Sequence, residues 1–484
     1  MKAENCMYLK QYSIQWFWSL ALFFLLATVS ILLVDVSVWV IYAACAIPFL
    51  LLMVQHPRWL FYLLIFFIPP SIEFSVTDSL ATDLPDEPLI MLCCFLALTG
   101  VLWQHTTRKL ELSSVGVLLL FQLFWLVFSV VNSTNEILSI KFLIAKLWYL
   151  GAFILLPILI LKEKTHIRTT ALLYATSVLL CTIWVMVRHA GAGFTFSTIN
   201  DSVQPFFRNH VNYSVLLVGT ISIIYAVFVL AKNKQRKIIC GIVLLIMLVA
   251  LYFSYARGAW LALFAGIISF WLLRNRLLLS GYLLAILITI GAVVYLAQDD
   301  RYEQYAPDYK TTIFHTDFSE HWQATYQMKD LSTAERFHRW VAGLRMVKDN
   351  WQTGWGPNTF YPQYKEYTTP AFKTWVSDNP ERSTVHNYFL LTLIEQGIPG
   401  LLLLLLLLGF AFYTVQKIYH RTKDPFWQLA VSVSAIILSQ LCTVNFLSDL
   451  VETDEGGSLF YLCLAVIIIC DIKTRTASKL SSHV

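Results

Sequence analysis

Long apolar segments recur along almost the whole chain, and this repetition constrains the fold more than any other feature. Runs near 18–20 residues are long enough to cross a lipid bilayer, which takes about 20 apolar residues in a helix. Only helices and closed barrels satisfy all backbone hydrogen bonds inside a bilayer. Charged residues make up 13% of the sequence, roughly half the share usual in soluble domains. We therefore expect an all-α, polytopic membrane protein.

Fourteen segments are candidate membrane spans, and several are short, so the sequence is compatible with about 12–14 transmembrane helices. They lie at about 16–34, 37–54, 59–70, 89–103, 113–131, 142–161, 170–187, 213–231, 238–253, 259–273, 278–296, 387–408, 427–447 and 458–470. We expect three regions: transmembrane helices 1 to 11 in residues 1–296, a large loop in 297–386, and the C-terminal transmembrane helices in 387–484.

Basic residues define the predicted topology. Lysines and arginines concentrate in every second loop, for example in 232–237 and 274–276, whereas the opposite loops hold the acidic runs DLPDEP (83–88) and VETDEGG (451–457). The positive-inside rule then puts both termini in the cytoplasm and the loop 297–386 outside it. The net charge of +5 follows this topology, so we expect membrane lipids around the protein and no nucleic-acid partner.

The large loop contains one segment with helical periodicity, residues 331–350. Its apolar residues fall on one face of a helix; they are Phe337, Trp340, Val341, Leu344 and Val347. Such a helix can lie on the membrane interface, or it can form a lid or an acceptor platform over a site at the membrane surface. Periodicity alone does not distinguish these two roles.

Two arginines stand at the predicted outer ends of spans. Arg257 occupies a short turn, where Gly258 permits the tight backbone, and Arg208 precedes the span at 213–231. Each can be an interfacial anchor. Two arginines on one side of the membrane would also suit a phosphate or pyrophosphate, because guanidinium groups form bidentate, permanently charged contacts.

A polar group opens the span at 387–408. His386 precedes it, Asn387 is its first residue, and Glu395, Gly397 and Gly400 lie inside it. An imidazole suits general base catalysis near neutral pH, although a histidine at a helix start can also be a structural hydrogen-bonding group. A carboxyl group inside a membrane is costly and normally partnered, so we expect Glu395 and the glycines to be structural.

These motifs resemble the O-antigen ligase and polymerase superfamily of bacterial membrane glycosyltransferases. HNYFLLTLIEQGIPG (386–400) fits the ligase histidine pattern, and SYARGAWLAL (254–263) resembles the Arg-Gly turn of the family. AERFHRWVAGLRMVKDNWQTGWGPNTF (334–360) resembles the outer-loop helix and Gly-Trp-Gly segment before the histidine. The resemblance covers roughly residues 200–400. It implies a helical fold of the lipid-sugar glycosyltransferase (GT-C-like) type.

The resemblance also implies an activity. Ligases of this family transfer a glycan from undecaprenyl pyrophosphate to a sugar hydroxyl of the lipid A core, at the periplasmic face of the inner membrane. The reaction is inverting and metal-independent, so neither a metal nor a cofactor is expected. His386 would then be the general base, and Arg208 and Arg257 would bind the donor pyrophosphate. Further candidates for substrate contact are Arg382, Arg336, His210 and Asn387.

Other functions remain open from the sequence. The polymerases carry paired Arg-x10-Gly motifs, which Arg208–Gly219 and Arg345–Gly356 match, and protein O-oligosaccharyltransferases share much of the same region. A lipid or solute transporter is the non-enzyme alternative, but the chain shows no clear internal repeat. Its nine cysteines form no CxxC site, and it has no Gly-rich phosphate loop.

Overall fold

The computed structural model describes residues 56–77, 80–104, 113–305, 331–374, 377–379 and 382–481. The chain forms two compact units, Met1–Leu63 and Leu64–Val484. Of the first unit the structure describes only residues 56–63, which belong to helix α1 (Pro57–Phe67) or directly precede it. The predicted spans at 16–34 and 37–54 lie outside the described residues.

Helices account for most of the described residues of the second unit. They are α2 (Asp86–Gln104), α3 (Ser114–Val131), α4 (Glu136–Leu150, continued through a π-helical turn at Gly151–Leu155 to Leu156–Ile160), α5 (Lys164–Gly191), α6 (His210–Leu230), α7 (Lys234–Phe253), α8 (Arg257–Arg274), α9 (Leu278–Ala297), α10 (Leu331–Asp349), α11 (Tyr388–Arg421), α12 (Pro425–Asn445) and α13 (Asp454–Ser481). Short helical turns lie at Ile199–Val203 and Phe360–Gln363.

Ten helices in the described part of the chain are long and apolar enough to cross a membrane. They are α3 to α9 and α11 to α13, and they coincide with the ten predicted spans from 113–131 onwards. The predicted spans at 59–70 and 89–103 coincide with α1 and α2. The all-α, polytopic membrane fold is thus confirmed.

One hairpin departs from the helical pattern. Strand β1 (Ile72–Thr77) pairs antiparallel with β2 (Leu80–Leu84), with Ile72 opposite Leu84. From the sequence, the end of this segment was interpreted only as part of an acidic loop. The alternation of apolar and polar residues in IEFSVT is the signal for a strand, because successive side chains of a strand point to opposite faces.

Helix α10 confirms the predicted helix at 331–350, but its predicted apolar face is only partly buried: Val341 is buried, and Trp340 and Val347 pack against a buried cluster. Leu344 is 37% exposed, whereas Glu335, His338 and Arg339 are buried. The Glu335 carboxylate accepts hydrogen bonds from the hydroxyl groups of Thr374 and Ser377. Without these bonds, burial of the carboxylate would be costly. Helix α10 therefore packs its polar side against the loop that follows it.

Candidate functional site

His386 occupies a constrained position directly before α11. Its φ of 52° lies in the left-handed region, which is uncommon for a residue other than glycine. Helix α10 fixes the preceding backbone: Arg339 Nη1 donates to the Thr384 carbonyl at 3.2 Å, and Trp340 Nε1 donates to the Val385 carbonyl at 3.0 Å. Backbone strain of this kind persists where the surrounding structure imposes it, and it is frequent at functional sites.

Asp449 lies beside His386. Its Oδ1 is 3.8 Å from His386 Nδ1, which is too long for a direct hydrogen bond but within ion-pair range. The Thr384 hydroxyl donates to Oδ2 of the same carboxylate. Burial alone would raise the pKa of Asp449, but the contacts with His386 and Thr384 hold that pKa below its usual range.

The position of Asp449 determines how His386 can react. A negative carboxylate next to Nδ1 favours the tautomer with its proton on Nδ1, which leaves the lone pair of Nε2 free to accept a proton. The His386 side chain is 36% exposed, so a hydroxyl group can reach it. The arrangement suits a general base.

The connection between α12 and α13, residues 446–453, contacts Arg336 and the start of α8. Arg336 Nε donates to the Leu447 carbonyl at 3.1 Å. Gly258, the neighbour of Arg257 in the first turn of α8, lies so that a Cβ on it would be 3.9 Å from Leu447 Cδ1. Since Leu447 is two residues from Asp449, Arg336 and the first turn of α8 both adjoin the loop that carries the neighbour of His386.

Arg208 and His210 lie at the start of α6. Arg208 is exposed, and His210 Nδ1 is 2.8 Å from Asn200 Oδ1. The Phe196 ring is 6.4 Å from the His210 ring and 5.6 Å from the ring of Tyr255, which is in the turn that leads into α8. Aromatic packing thus links His210 to the α8 turn, but no contact of Arg208 or His210 with His386 is observed in the described residues.

Arg382 and Asn387 flank the histidine segment. The Arg382 guanidinium lies 5.9 Å from the centre of the Tyr361 ring, and its side chain is exposed. Asn387 is the N-cap of α11, because its side-chain oxygen accepts from the Leu390 backbone N–H at 3.0 Å. This bond gives Asn387 a structural role that is independent of any substrate contact.

Glu395 lies where α11 is interrupted. Gly397 has φ 68° and ψ −175°, and the Gly-Trp-Gly segment (354–356) packs into the break: the Gly356 N–H donates to the Glu395 carbonyl at 2.9 Å. The Glu395 carboxylate accepts from the backbone N–H of Asn358 at 2.9 Å and of Phe360 at 3.2 Å. The buried carboxyl group is therefore partnered, and it holds the loop after α10 against α11.

The glycines of the site differ in how strictly they are required. A Cβ on Gly397 would lie 2.5 Å from the Gln352 carbonyl oxygen, and one on Gly400 would lie 2.4 Å from Gln396 Cβ. Gly258, by contrast, has room for a side chain, and the left-handed residue of its turn is Tyr255, with φ 55°. The prediction that Gly258 is what permits the turn before α8 is therefore wrong.

Three residues of this site were not predicted from the sequence. Asp449 belongs to an acidic loop that was noted only for its charge. Lys146 Nζ in α4 lies 2.9 Å from Glu452 Oε2, and both line a cavity beside Asp449. A lysine inside an apolar span was the available signal, because such residues usually have a function.

Two acidic loops also meet away from His386. Ligand oxygens of Asp83, Glu87 and Asp454 lie within 4.8 Å of one another. No metal ligands were predicted here from the sequence, because these residues come from runs far apart in the chain. Carboxylate oxygens are the ligands that hard cations such as Mg²⁺ and Ca²⁺ prefer, so these three side chains could hold such an ion.

Residues 242–405, about one third of the chain, match the family model of the O-antigen ligase. This match confirms the resemblance to the O-antigen ligase and polymerase superfamily, and it points to a glycosyltransferase-like, multi-pass membrane enzyme. Arg257, Arg336 and His386 lie inside the matched region, whereas Arg208 and Asp449 lie outside it. No curated protein matches the chain.

Proposed function

We propose that this protein is an O-antigen ligase, which transfers a glycan from undecaprenyl pyrophosphate to a sugar hydroxyl of the lipid A core. The reaction would occur at the periplasmic face of the inner membrane, with both protein termini in the cytoplasm. The family match supports the enzyme class. The observation that carries the proposal is the pairing of His386, in its constrained backbone conformation, with the half-buried Asp449.

His386 is the general base in this proposal. Its Nε2 takes the proton of the acceptor hydroxyl, and the acceptor oxygen forms a bond to the anomeric carbon of the donor glycan. The bond between that carbon and the pyrophosphate oxygen breaks, and its electron pair leaves with undecaprenyl pyrophosphate. Asp449 stabilises the imidazolium that forms, and the proton then passes to water.

The arginines act on the leaving group. Arg336 and the first turn of α8, which begins with Arg257, adjoin the loop that carries Asp449, and His210, two residues from Arg208, is linked to the α8 turn through aromatic contacts. Guanidinium groups supply positive charge where negative charge develops on the pyrophosphate, which lowers the barrier without a metal ion. Arg382 and His210 remain candidates for contact with either substrate.

The geometry gives the polymerase alternative less support. Gly219 packs closely in the helical core, since a Cβ on it would be 2.9 Å from Leu459 Cδ2. Arg345 Nη1 donates to the Tyr367 carbonyl at 3.4 Å. Packing and local hydrogen bonding therefore account for Gly219 and Arg345, one member of each Arg-x10-Gly pair.

A reconstitution with three acceptors tests the proposal. Purified protein in nanodiscs receives an undecaprenyl-pyrophosphate-linked glycan together with lipid A core, a second lipid-linked repeat, or a protein. We expect extension of the lipid A core. Extension of the lipid-linked repeat or of the protein would instead identify a polymerase or a protein transferase, and no transfer to any acceptor would favour a transporter.

A further inference from the structure

A cavity of about 240 Å³ has Asp449 in its wall. Helix α4 contributes Ala145, Lys146 and Tyr149 to its wall, and the other walls include Glu395 and Glu452. A space of this size can hold one monosaccharide ring.

The charges around the cavity exclude one class of ligand. Two acidic side chains, Asp449 and Glu452, line the cavity together with one lysine, and the carboxyl oxygens of Glu395 already accept hydrogen bonds from backbone N–H groups. That lysine is already paired, because Lys146 Nζ lies 2.9 Å from Glu452 Oε2. A pyrophosphate would meet excess negative charge in this cavity, so the donor phosphates must bind elsewhere.

The same lining suits a neutral, polyhydroxylated ring. Carboxylates accept hydrogen bonds from hydroxyl groups, and the Tyr149 and Phe142 rings offer apolar faces to the C–H edges of a sugar. The polar groups are held in place before any ligand arrives: Glu395 accepts from two backbone N–H groups, and Lys146 Nζ lies 5.0 Å from the centre of the Phe142 ring. Such preorganisation reduces the entropy lost on binding.

The two ends of the 446–453 loop contact different parts of the site. Leu447, near its start, contacts Arg336 and the start of α8, whereas Asp449 and Glu452, further along, line the cavity. In an inverting displacement, the acceptor attacks from the side opposite the leaving group. The acceptor sugar and the donor pyrophosphate therefore need separate subsites around His386.

We infer that the cavity lined by Ala145, Lys146, Asp449 and Glu452 binds the acceptor, as the subsite for a sugar ring next to the one that carries the reacting hydroxyl. This inference rests on the proposed function of the same site. It assigns Lys146 and Glu452 to acceptor specificity, and it leaves donor recognition to the arginines.

Two neighbouring positions of α4 provide a matched test. Ala145 lines the cavity, whereas the side chain of Ile144 is not part of its wall and is 42% exposed. Ala145→Trp should fill the cavity and raise the KM for lipid A core by roughly tenfold or more, with the donor Kd unchanged. Ile144→Trp should leave both constants near the wild-type values.

An unchanged KM for lipid A core in folded Ala145→Trp would overturn the inference, as would a loss of donor binding without an acceptor effect. If Ala145→Trp does not fold, Ala145→Leu and Glu452→Gln serve instead, with a smaller rise in acceptor KM expected and an unchanged KM again contradicting the inference. Failure of the wild-type protein to extend lipid A core would refute the proposed function itself, and it is seen before any variant is made.

Discussion

His386 Nδ1 lies 3.8 Å from Asp449 Oδ1, although the two residues belong to different connections between helices. The contact joins the segment before α11 to the loop between α12 and α13. It gives His386 a half-buried negative neighbour on one side of the ring, and the His386 side chain is still 36% exposed. The chemistry of the site depends on this pair, and the first two predictions test its members separately.

Replacement of His386 should remove the base without removing the donor. We expect His386→Ala to lower kcat by roughly 10²–10⁴, the usual contribution of general base catalysis, with the donor Kd preserved. His386→Gln should be similarly impaired, because an amide can donate a hydrogen bond but cannot take the proton. His166→Ala, at the start of α5, is the control. Near-normal transfer by His386→Gln would assign the base to another residue, with His210 and His338 the next candidates.

Asp449→Asn should change the pH dependence of transfer. The pKa of Asp449 lies below its usual value of 3.8, so this carboxylate stays ionised at every pH where the enzyme is assayed. Its loss removes the charge that stabilises the imidazolium, so protonation of His386 becomes less favourable. We expect kcat to fall by roughly 10–100-fold, and the acid limb of the rate profile to move to lower pH. A lower kcat with an unmoved acid limb would show a purely structural role.

Arg257 should act on the donor. We expect Arg257→Ala to weaken donor binding and to slow transfer, and Arg257→Lys to restore only part of both, since an ammonium group lacks the bidentate fork. Arg274→Ala, at the other end of the same helix, is the matched control. Donor titrations and initial rates measure the two effects. Full activity of Arg257→Ala would leave the residue as an interfacial anchor.

Gly397 should be required for stability. Its φ of 68° disfavours a side chain, and so does the Gln352 carbonyl oxygen, which would lie 2.5 Å from any Cβ at this position. Gly397→Ala should cost at least about 1–3 kcal/mol in the free energy of unfolding, seen as a lower Tm. Gly241→Ala in α7, where a Cβ meets nothing within 4 Å, should be neutral or stabilising. Equal Tm values for the two variants would mean that the break in α11 can rearrange.

Chelation should leave transfer intact, because the arginines supply the positive charge that the leaving group needs. The measurement uses purified protein with EDTA, which avoids effects of the chelator on the outer membrane. Loss of activity that a divalent ion restores would contradict this expectation. In that case Asp454→Asn would test whether the group formed with Asp83 and Glu87 holds the ion.

Much of the fold follows from the sequence because its signals are local. An apolar segment of span length carries its own reason to form a helix, so the ten spans from α3 onwards could be predicted without knowledge of their neighbours. The helix at 331–350 and the His386 motif were also visible in the sequence, since each depends on residues within a few turns of one another.

The site itself depends on contacts between segments far apart in the chain, which no local pattern contains. Hydropathy periodicity placed Leu344 on the buried face of α10, but Leu344 is exposed, and Glu335 and Arg339 are buried. Both form hydrogen bonds with the chain that follows α10: Glu335 accepts from Ser377, and Arg339 donates to the Thr384 carbonyl. Glu395 was recognisable as an acid in a span, yet its partners come from the loop around Asn358. The sequence determined which segments enter the membrane and which side chains could react. Only tertiary packing decided that Asp449 would face His386, because that contact requires two helix connections to meet in space.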